Sequence, residues 1–225
     1  VQSRGYFSFA APSRCMMKMK TFIYNHPLIN DKLARLRDET TTVASFRQLV
    51  EEITVLMLYE ATKNLPCKKV TVRTPLAPVE CEVLAGPPPV LVPILRAGLA
   101  MAEPLIKLFP ASPVGHIGLV RDHETLQPVR YLVKLPPMED RPVWVLDPML
   151  ATGGSVCETI GILKEHGASD ITVFAIIAAP EGVERLQKEH GDVSLYIAAL
   201  DERLNDKGYI LPGLGDAGDR LYGTF

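Results

Sequence analysis

Apolar residues recur along this chain in two rhythms: helical spacing in some segments, short solid runs in others. From Pro27 to Arg37 the sequence reads as a short helix. A second, stronger helix is predicted from Ser45. Ser45 and Gln48 have the S-x-x-Q spacing of a capping box, and Phe46, Leu49, Val50, Ile53 and Met57 follow at helical intervals. Two alternating stretches, Val70 to Thr74 and Val79 to Leu84, flank Pro75-Leu76-Ala77-Pro78 and predict a hairpin or edge pair. Gly86-Pro87-Pro88-Pro89 then separates this N-terminal layer from the main core.

Beyond that break the character changes. Val90 to Leu95, Val114 to Val120, Val143 to Leu146, Ile171 to Ala178 and Val193 to Ala199 are short runs, most of them apolar on both faces. Such runs suit parallel strands covered by helices on both sides. Between them, Val156 to His166 carries an apolar stripe and stops at Gly167, while Pro180 to His190 opens on Pro-Glu and stops at Gly191. The alternation predicts an α/β fold: an open, mostly parallel twisted sheet with helices on both faces, preceded by N-terminal helices and a small β hairpin.

Composition narrows the function classes. The 225 residues fit one large domain, and 47% hydrophobic with 22% charged residues allow a full core. A net charge of −2 gives no general pull toward nucleic acid or an anionic membrane, and no apolar run approaches the ~18 residues of a bilayer span. The cysteines Cys15, Cys67, Cys81 and Cys157 form no C-x-x-C pair, which argues against a zinc site or redox dithiol and suits a reducing compartment, the cytoplasm. No acidic residue precedes Asp31, whereas Arg4, Arg14, Lys18 and Lys20 are basic. Residues 1–22 are therefore set apart, as an unstructured extension or the remnant of an organelle-targeting peptide, leaving one domain over 23–225.

In doubly wound sheets ligands sit beyond the carboxyl ends of the strands, and the turn after Val143-Trp144-Val145-Leu146 is the richest. It runs Asp147, Pro148, Met149, Leu150, Ala151, Thr152, Gly153, Gly154, Ser155. Two glycines let consecutive N–H groups converge, Thr152 and Ser155 add hydroxyls, and the following helix adds its positive end. This is a phosphate cup without the lysine of a P-loop, so phosphoryl transfer from a nucleoside triphosphate is not its chemistry. A carboxylate at Asp147 would repel phosphate but accepts hydrogen bonds from a sugar diol. Phosphate and diol side by side describe a phosphoribosyl group.

Other motifs carry less. Gly213-Leu214-Gly215-Asp216-Ala217-Gly218 spells G-x-G-x-x-G, yet too little chain follows for a dinucleotide fold, and its glycines make an irregular loop with exposed main chain. Asp122, His123 and Glu124 admit a metal-ligand reading, but the stretch Asp122 to Pro128 fits a solvated, mobile flap better. Cys157, in the first turn of the phosphate-loop helix, is either an activated thiol or a small buried hydrophobe.

The loop Val145 to Ser155 resembles the phosphoribosyl-pyrophosphate (PRPP) loop of type I phosphoribosyltransferases, in the Asp-Pro form of the uracil phosphoribosyltransferase family. His26-Pro27-Leu28 with Leu36-Arg37-Asp38, Pro93 to Leu99, and Gly208 to Arg220 agree, in the family's order. The resemblance implies that residues 147–155, Arg96, Arg121 and Asp216 bind PRPP, and that Ile210, Gly215, Asp216 and Ala217 contact uracil. It makes Arg96, Arg121 and Asp216 the catalytic candidates, the arginines on departing pyrophosphate and Asp216 on the N1 proton or the cationic sugar. It further implies Mg2+ carried mainly by PRPP without assigned protein ligands, a homo-oligomer, and GTP as an effector. Two other readings stay open: transfer to another base such as orotate, and an RNA-binding regulator built on the same fold, for which the charge gives no basic face.

Overall fold

The computed structural model describes residues 19–121 and 128–224. The chain enters with strand β1 (Lys20–Ile23), then helices α1 (Pro27–Arg37) and α2 (Val43–Ala61) and a hairpin of β2 (Cys67–Arg73) and β3 (Pro78–Leu84). The alternating core follows as β4 (Val90–Leu95), α3 (Leu99–Leu108), β5 (His116–Arg121), β6 (Pro128–Lys134) and β7 (Pro142–Leu146). It continues through β8 (Met149–Leu150), α4 (Gly154–Glu165), β9 (Asp170–Ala178), α5 (Pro180–His190) and β10 (Ser194–Leu200). A small pair, β11 (Arg203–Leu204) and β12 (Ile210–Leu211), leads to the closing helix α6 (Ala217–Tyr222).

The main sheet runs β1-β10-β9-β7-β4-β5-β6, with β8 paired to β9. Every pairing is parallel except β5 with β6. The chain moves one way from β4 to β5 and the other way from β7 through β9 to β10, so the strand order reverses between β4 and β7. At such a point the turns leaving the two strands part and open a crevice.

Helices cover both faces, as the solid apolar runs predict. On one face Leu36, Phe46, Ile53, Met101, Leu105 and Leu221 pack against Leu91, Trp144, Phe174 and Ile176. On the other, Val156, Ile160, Leu163 and Leu186 pack against Val92, Val145, Val173 and Ile197.

Two boundaries differ from expectation. The chain joins the fold before residue 23: Met19 is 5% exposed, its N–H donates to Gln187 Oε1 at 2.8 Å, and β1 pairs with β10. The pairing is tertiary, fixed by Phe22 stacked on Tyr196 at 4.6 Å, so local composition could not reveal it. Helix α2 starts two residues before Ser45, because Thr42 rather than Ser45 is the cap: its Oγ1 accepts from Ser45 N at 3.3 Å. Gln48 reaches forward to Glu52 Oε1 at 2.8 Å instead of closing a capping box.

Candidate active site

Three segments meet at the crevice between β4 and β7. The first is the turn after β4. The Leu95–Arg96 peptide is cis, and Gly98 lies so close to the end of β7 that a Cβ there would stand 2.2 Å from Leu146 O. Only glycine permits that approach. It locks the Arg96 turn against the start of the phosphate loop.

The second segment is that loop. Pro148 O accepts from Ile176 N and Ile177 N, each at 3.0 Å, and Ala179 N donates to Leu150 O at 3.0 Å. Met149 and Leu150 thus form β8, a strand inside the loop. Gly182, in the first turn of α5, presses from behind; a Cβ there would meet Ala151 O at 2.3 Å. Gly153 takes φ 76 as the N-cap of α4, the left-handed backbone expected of its glycine, and Gly154 N donates to Thr152 Oγ1 at 3.4 Å. First-turn N–H groups of α4 have no acceptor within the helix, so the loop ends on a ready anion site.

Asp147 opens the loop on a partly buried carboxylate that accepts from Met149 N at 3.3 Å. Burial pushes its pKa up to about 7, against the lowering pull of that N–H. A cation or hydroxyl donor brought against the carboxyl would favour its ionised form and lower that value.

The third segment follows β12. Gly215 and Asp216 are exposed, whereas Ile210 and Ala217 are buried, so the last two can offer a ligand main-chain groups at most. Asp216 caps α6, its Oδ1 accepting from Asp219 N at 2.9 Å. Arg96 bridges to this segment. Its Nη2 lies 3.4 Å from Asp219 Oδ1, its guanidinium sits over the Tyr222 ring at 5.7 Å, and Tyr222 Oη donates to Arg96 O at 3.1 Å. Tyr222 thus touches the Arg96 turn through its hydroxyl as well as its ring.

Arg121 closes β5. Gly118, three residues earlier, stands opposite Leu95, which places the Arg121 backbone at the same end of the sheet. The flap expected over Asp122 to Pro128 falls on 122–127, outside the described residues, except for Pro128, which begins β6. The metal reading of Asp122, His123 and Glu124 lies wholly outside them.

Sequence spacing missed the residues that hold the third segment. Arg220 Nη1 donates to Leu36 O at 2.8 Å and Leu214 O at 2.7 Å, and its guanidinium stacks over Phe46 at 4.4 Å. Arg37 pairs with Asp201 from 164 residues away. The one local signal is a charge, Arg37, beside buried Leu36 at the end of α1; the motif Leu36-Arg37-Asp38 names no partner for it.

Cys157 is a buried hydrophobe, not an activated thiol: burial, first, and Glu189, next, push its pKa up to about 12. Among the described residues, Cys157, Glu189 and His190 bring potential ligand atoms within 4.8 Å of one another. Lys164 Nζ faces His190 Nδ1 at 3.3 Å, a setting that repels a cation. A cavity of about 700 Å³ lies at the β1 edge, lined by Phe22, Tyr24, Tyr59 and Tyr196, and includes none of the site residues. No helix among the described residues is long and apolar enough to cross a membrane.

Residues 23–224 match the family model for uracil phosphoribosyltransferase. The chain is 56% identical to the uracil phosphoribosyltransferase of Bacillus velezensis, over 91% of this chain and 99% of that one. It is 55% identical to that of Halalkalibacterium halodurans over the same shares. Among solved structures, a protein from Aquifex aeolicus superposes with a TM-score of 0.85 and 38% identity, covering 90% of this chain and 97% of that one. The adenine phosphoribosyl transferase of Trypanosoma brucei shares the fold at a TM-score of 0.57 and 13% identity, covering 87% and 88%. A motif set in order, a crevice at the strand-order reversal and a match across nearly the whole chain point one way: this chain belongs to the uracil phosphoribosyltransferase family.

Proposed function

We infer that the chain transfers the phosphoribosyl group of PRPP to uracil, releasing pyrophosphate and giving UMP. The carrying observation is the close approach of Gly98 to Leu146 O together with the Arg96–Asp219 contact, which joins the three segments in one crevice. In this reading the N-terminus of α4, with Thr152 and Ser155, grips the 5′-phosphate, and Asp147 takes the ribose hydroxyls. Arg96 and Arg121 stabilise charge growing on the departing pyrophosphate; each charge-assisted hydrogen bond contributes roughly 1.5–3 kcal/mol. Main-chain groups at Gly215, Asp216 and Ala217, with Ile210, meet the O2, N3–H and O4 edge of uracil. Cytosine reverses donor and acceptor at two of these positions and would leave buried groups unpaired. Asp216 faces the N1 proton or the cationic sugar.

Mg2+ fits this donor set as an ion carried by PRPP: of the loop's side chains, Asp147 alone offers a hard anionic oxygen. Bound there, the ion would neutralise diphosphate charge. The reading extends to a homo-oligomer, because the β2–β3 hairpin is exposed along both strands and a lone two-stranded ribbon is marginal in water. Free Cys67, Cys81 and Cys157 suit the cytoplasm. GTP regulation rests on the resemblance, and a GTP-dependent shift of the uracil saturation curve tests it.

One assay decides the main reading: pyrophosphate release from PRPP and Mg2+ with uracil, cytosine, orotate or hypoxanthine supplied separately. Uracil should be strongly preferred, and Arg96→Ala and Asp216→Asn should each cut turnover by about 10²-fold or more with the fold intact. Faster turnover with orotate would sink it, and so would RNA binding without base turnover.

A further inference from the structure

Arg37, at the end of α1, and Asp201, just after β10, meet behind the base loop. Arg37 Nη1 donates to Asp201 Oδ2 at 2.8 Å and Nη2 to Oδ1 at 2.5 Å, a two-pronged pair. The same Nη1 donates to Gly213 O at 2.7 Å, and Asp201 Oδ2 accepts from Gly213 N at 2.9 Å. One ion pair therefore holds both polar groups of one residue.

That residue is where the loop turns most tightly. Gly213 has φ +66, and a Cβ there would stand 2.1 Å from Ile210 O. The next carbonyl, Leu214 O, is taken by Arg220. Gly215 and Asp216, the next residues in line, are exposed. The Asp201 side chain is 4% exposed and that of Arg37 25%, so water is a poor substitute for either partner.

We propose that the Arg37–Asp201 pair is a specificity-determining positioning pair: through Gly213 it sets the direction in which residues 215–217 present N–H and C=O groups to a pyrimidine. The inference rests on reading that loop as the base site. Recognition by main chain has no rotamer to adjust, so its donors and acceptors are only as well aimed as the backbone. A peptide plane free to rotate exchanges donor for acceptor, which is the difference between uracil and cytosine.

Arg37→Lys keeps the charge but loses the fork, and a single ammonium cannot serve Asp201 and Gly213 O in the same geometry. Asp201→Asn keeps an acceptor for Gly213 N and loses one prong. In steady-state kinetics, Arg37→Lys should raise KM for uracil about tenfold, hold KM for PRPP within about twofold, and lower the uracil-to-cytosine ratio of kcat/KM by about tenfold. Asp201→Asn should shift the same quantities in the same direction by less, and the double variant should be no worse than Arg37→Lys. A merely structural role would raise both KM values together, and that outcome overturns the proposal, as does an unchanged uracil KM. Should Arg37→Lys fail to fold, Asp201→Asn decides alone by the same KM split. A wild-type protein that turns over no uracil sinks the functional reading instead; turnover with unchanged discrimination in both variants sinks only this pair.

Discussion

The phosphate loop and the base loop are held in opposite ways. Residues 147–154 are pinned by main chain: hydrogen bonds from β9 and Ala179, and the backbone of Gly182 pressed against Ala151. Residues 213 and 214 are pinned by side chains reaching in from Arg37, Asp201 and Arg220. A loop held by backbone tolerates changes in its neighbours' side chains but not an added Cβ. A loop held by side chains is tuned by them one at a time. In the proposed reading the phosphate cup serves transfer onto any base, whereas the base loop must discriminate, and the division of support follows that difference.

The sharpest way to break the first half of the comparison is Gly182→Ala. The new methyl would sit 2.3 Å from Ala151 O, a backbone atom that cannot rotate away. The loop must move, and displacement by about 1 Å can cost about 10²-fold in kcat/KM for PRPP, with about 1–3 kcal/mol of stability lost to overpacking. Gly161→Ala is the control. It lies inside α4 with nothing within 4 Å of the added atom. There the alanine should stabilise by about 0.5–1 kcal/mol and leave kinetics unchanged. If both variants behave alike in melting and PRPP kinetics, the loop is not held by backbone contact.

A smaller effect tests the electrostatics of the same loop. The Asp147 pKa is raised by burial to about 7, so the folded state retains a proton that the unfolded chain releases near its ordinary value. By linkage, its stabilising contribution is present at pH values below that ordinary value and is lost as pH rises toward 7. Asp147→Asn carries no such proton. Without substrate the variant should gain on the wild type as pH goes from 4 to 8, by on the order of 1–3 kcal/mol at the upper end. Its KM for PRPP should rise in compensation, because the ribose hydroxyls lose an anionic acceptor. Parallel melting curves for the two proteins across that range would show that the carboxyl is not desolvated.

How much of this was legible follows the same division. Strands β4, β5, β7, β9 and β10 and helices α1, α4 and α5 could be read because each depends on its own residues, with solid apolar runs for the strands and Gly167 and Gly191 as stops for α4 and α5. β6, the antiparallel edge strand, could not. The phosphate cup could be read because its donors are contiguous. What escaped depends on partners far along the chain. β1 becomes a strand through Tyr196 and β10. β8 exists only because β9 runs beside it. Helix α3 hides behind Pro104, which its packed position tolerates. The Arg37–Asp201 pair spans 164 residues, a separation no local spacing encodes.

The smallest change asks to which class the Arg96 turn belongs. Gly98 ties that turn to β7 by backbone, yet Tyr222 also donates to Arg96 O at 3.1 Å while its ring lies under the guanidinium. Tyr222→Phe separates the two contributions. The ring and its cation–π contact remain, and one partly exposed hydrogen bond is lost, worth about 0.5–1.5 kcal/mol. If backbone contact dominates, kcat/KM for PRPP should fall by less than about threefold and melting should drop by only a few degrees. A tenfold fall in kcat/KM with unchanged melting would instead make the Tyr222 hydroxyl the group that aims the Arg96 turn. The arginine proposed to serve pyrophosphate would then be held as residues 213 and 214 are, by a side chain reaching across, here from α6.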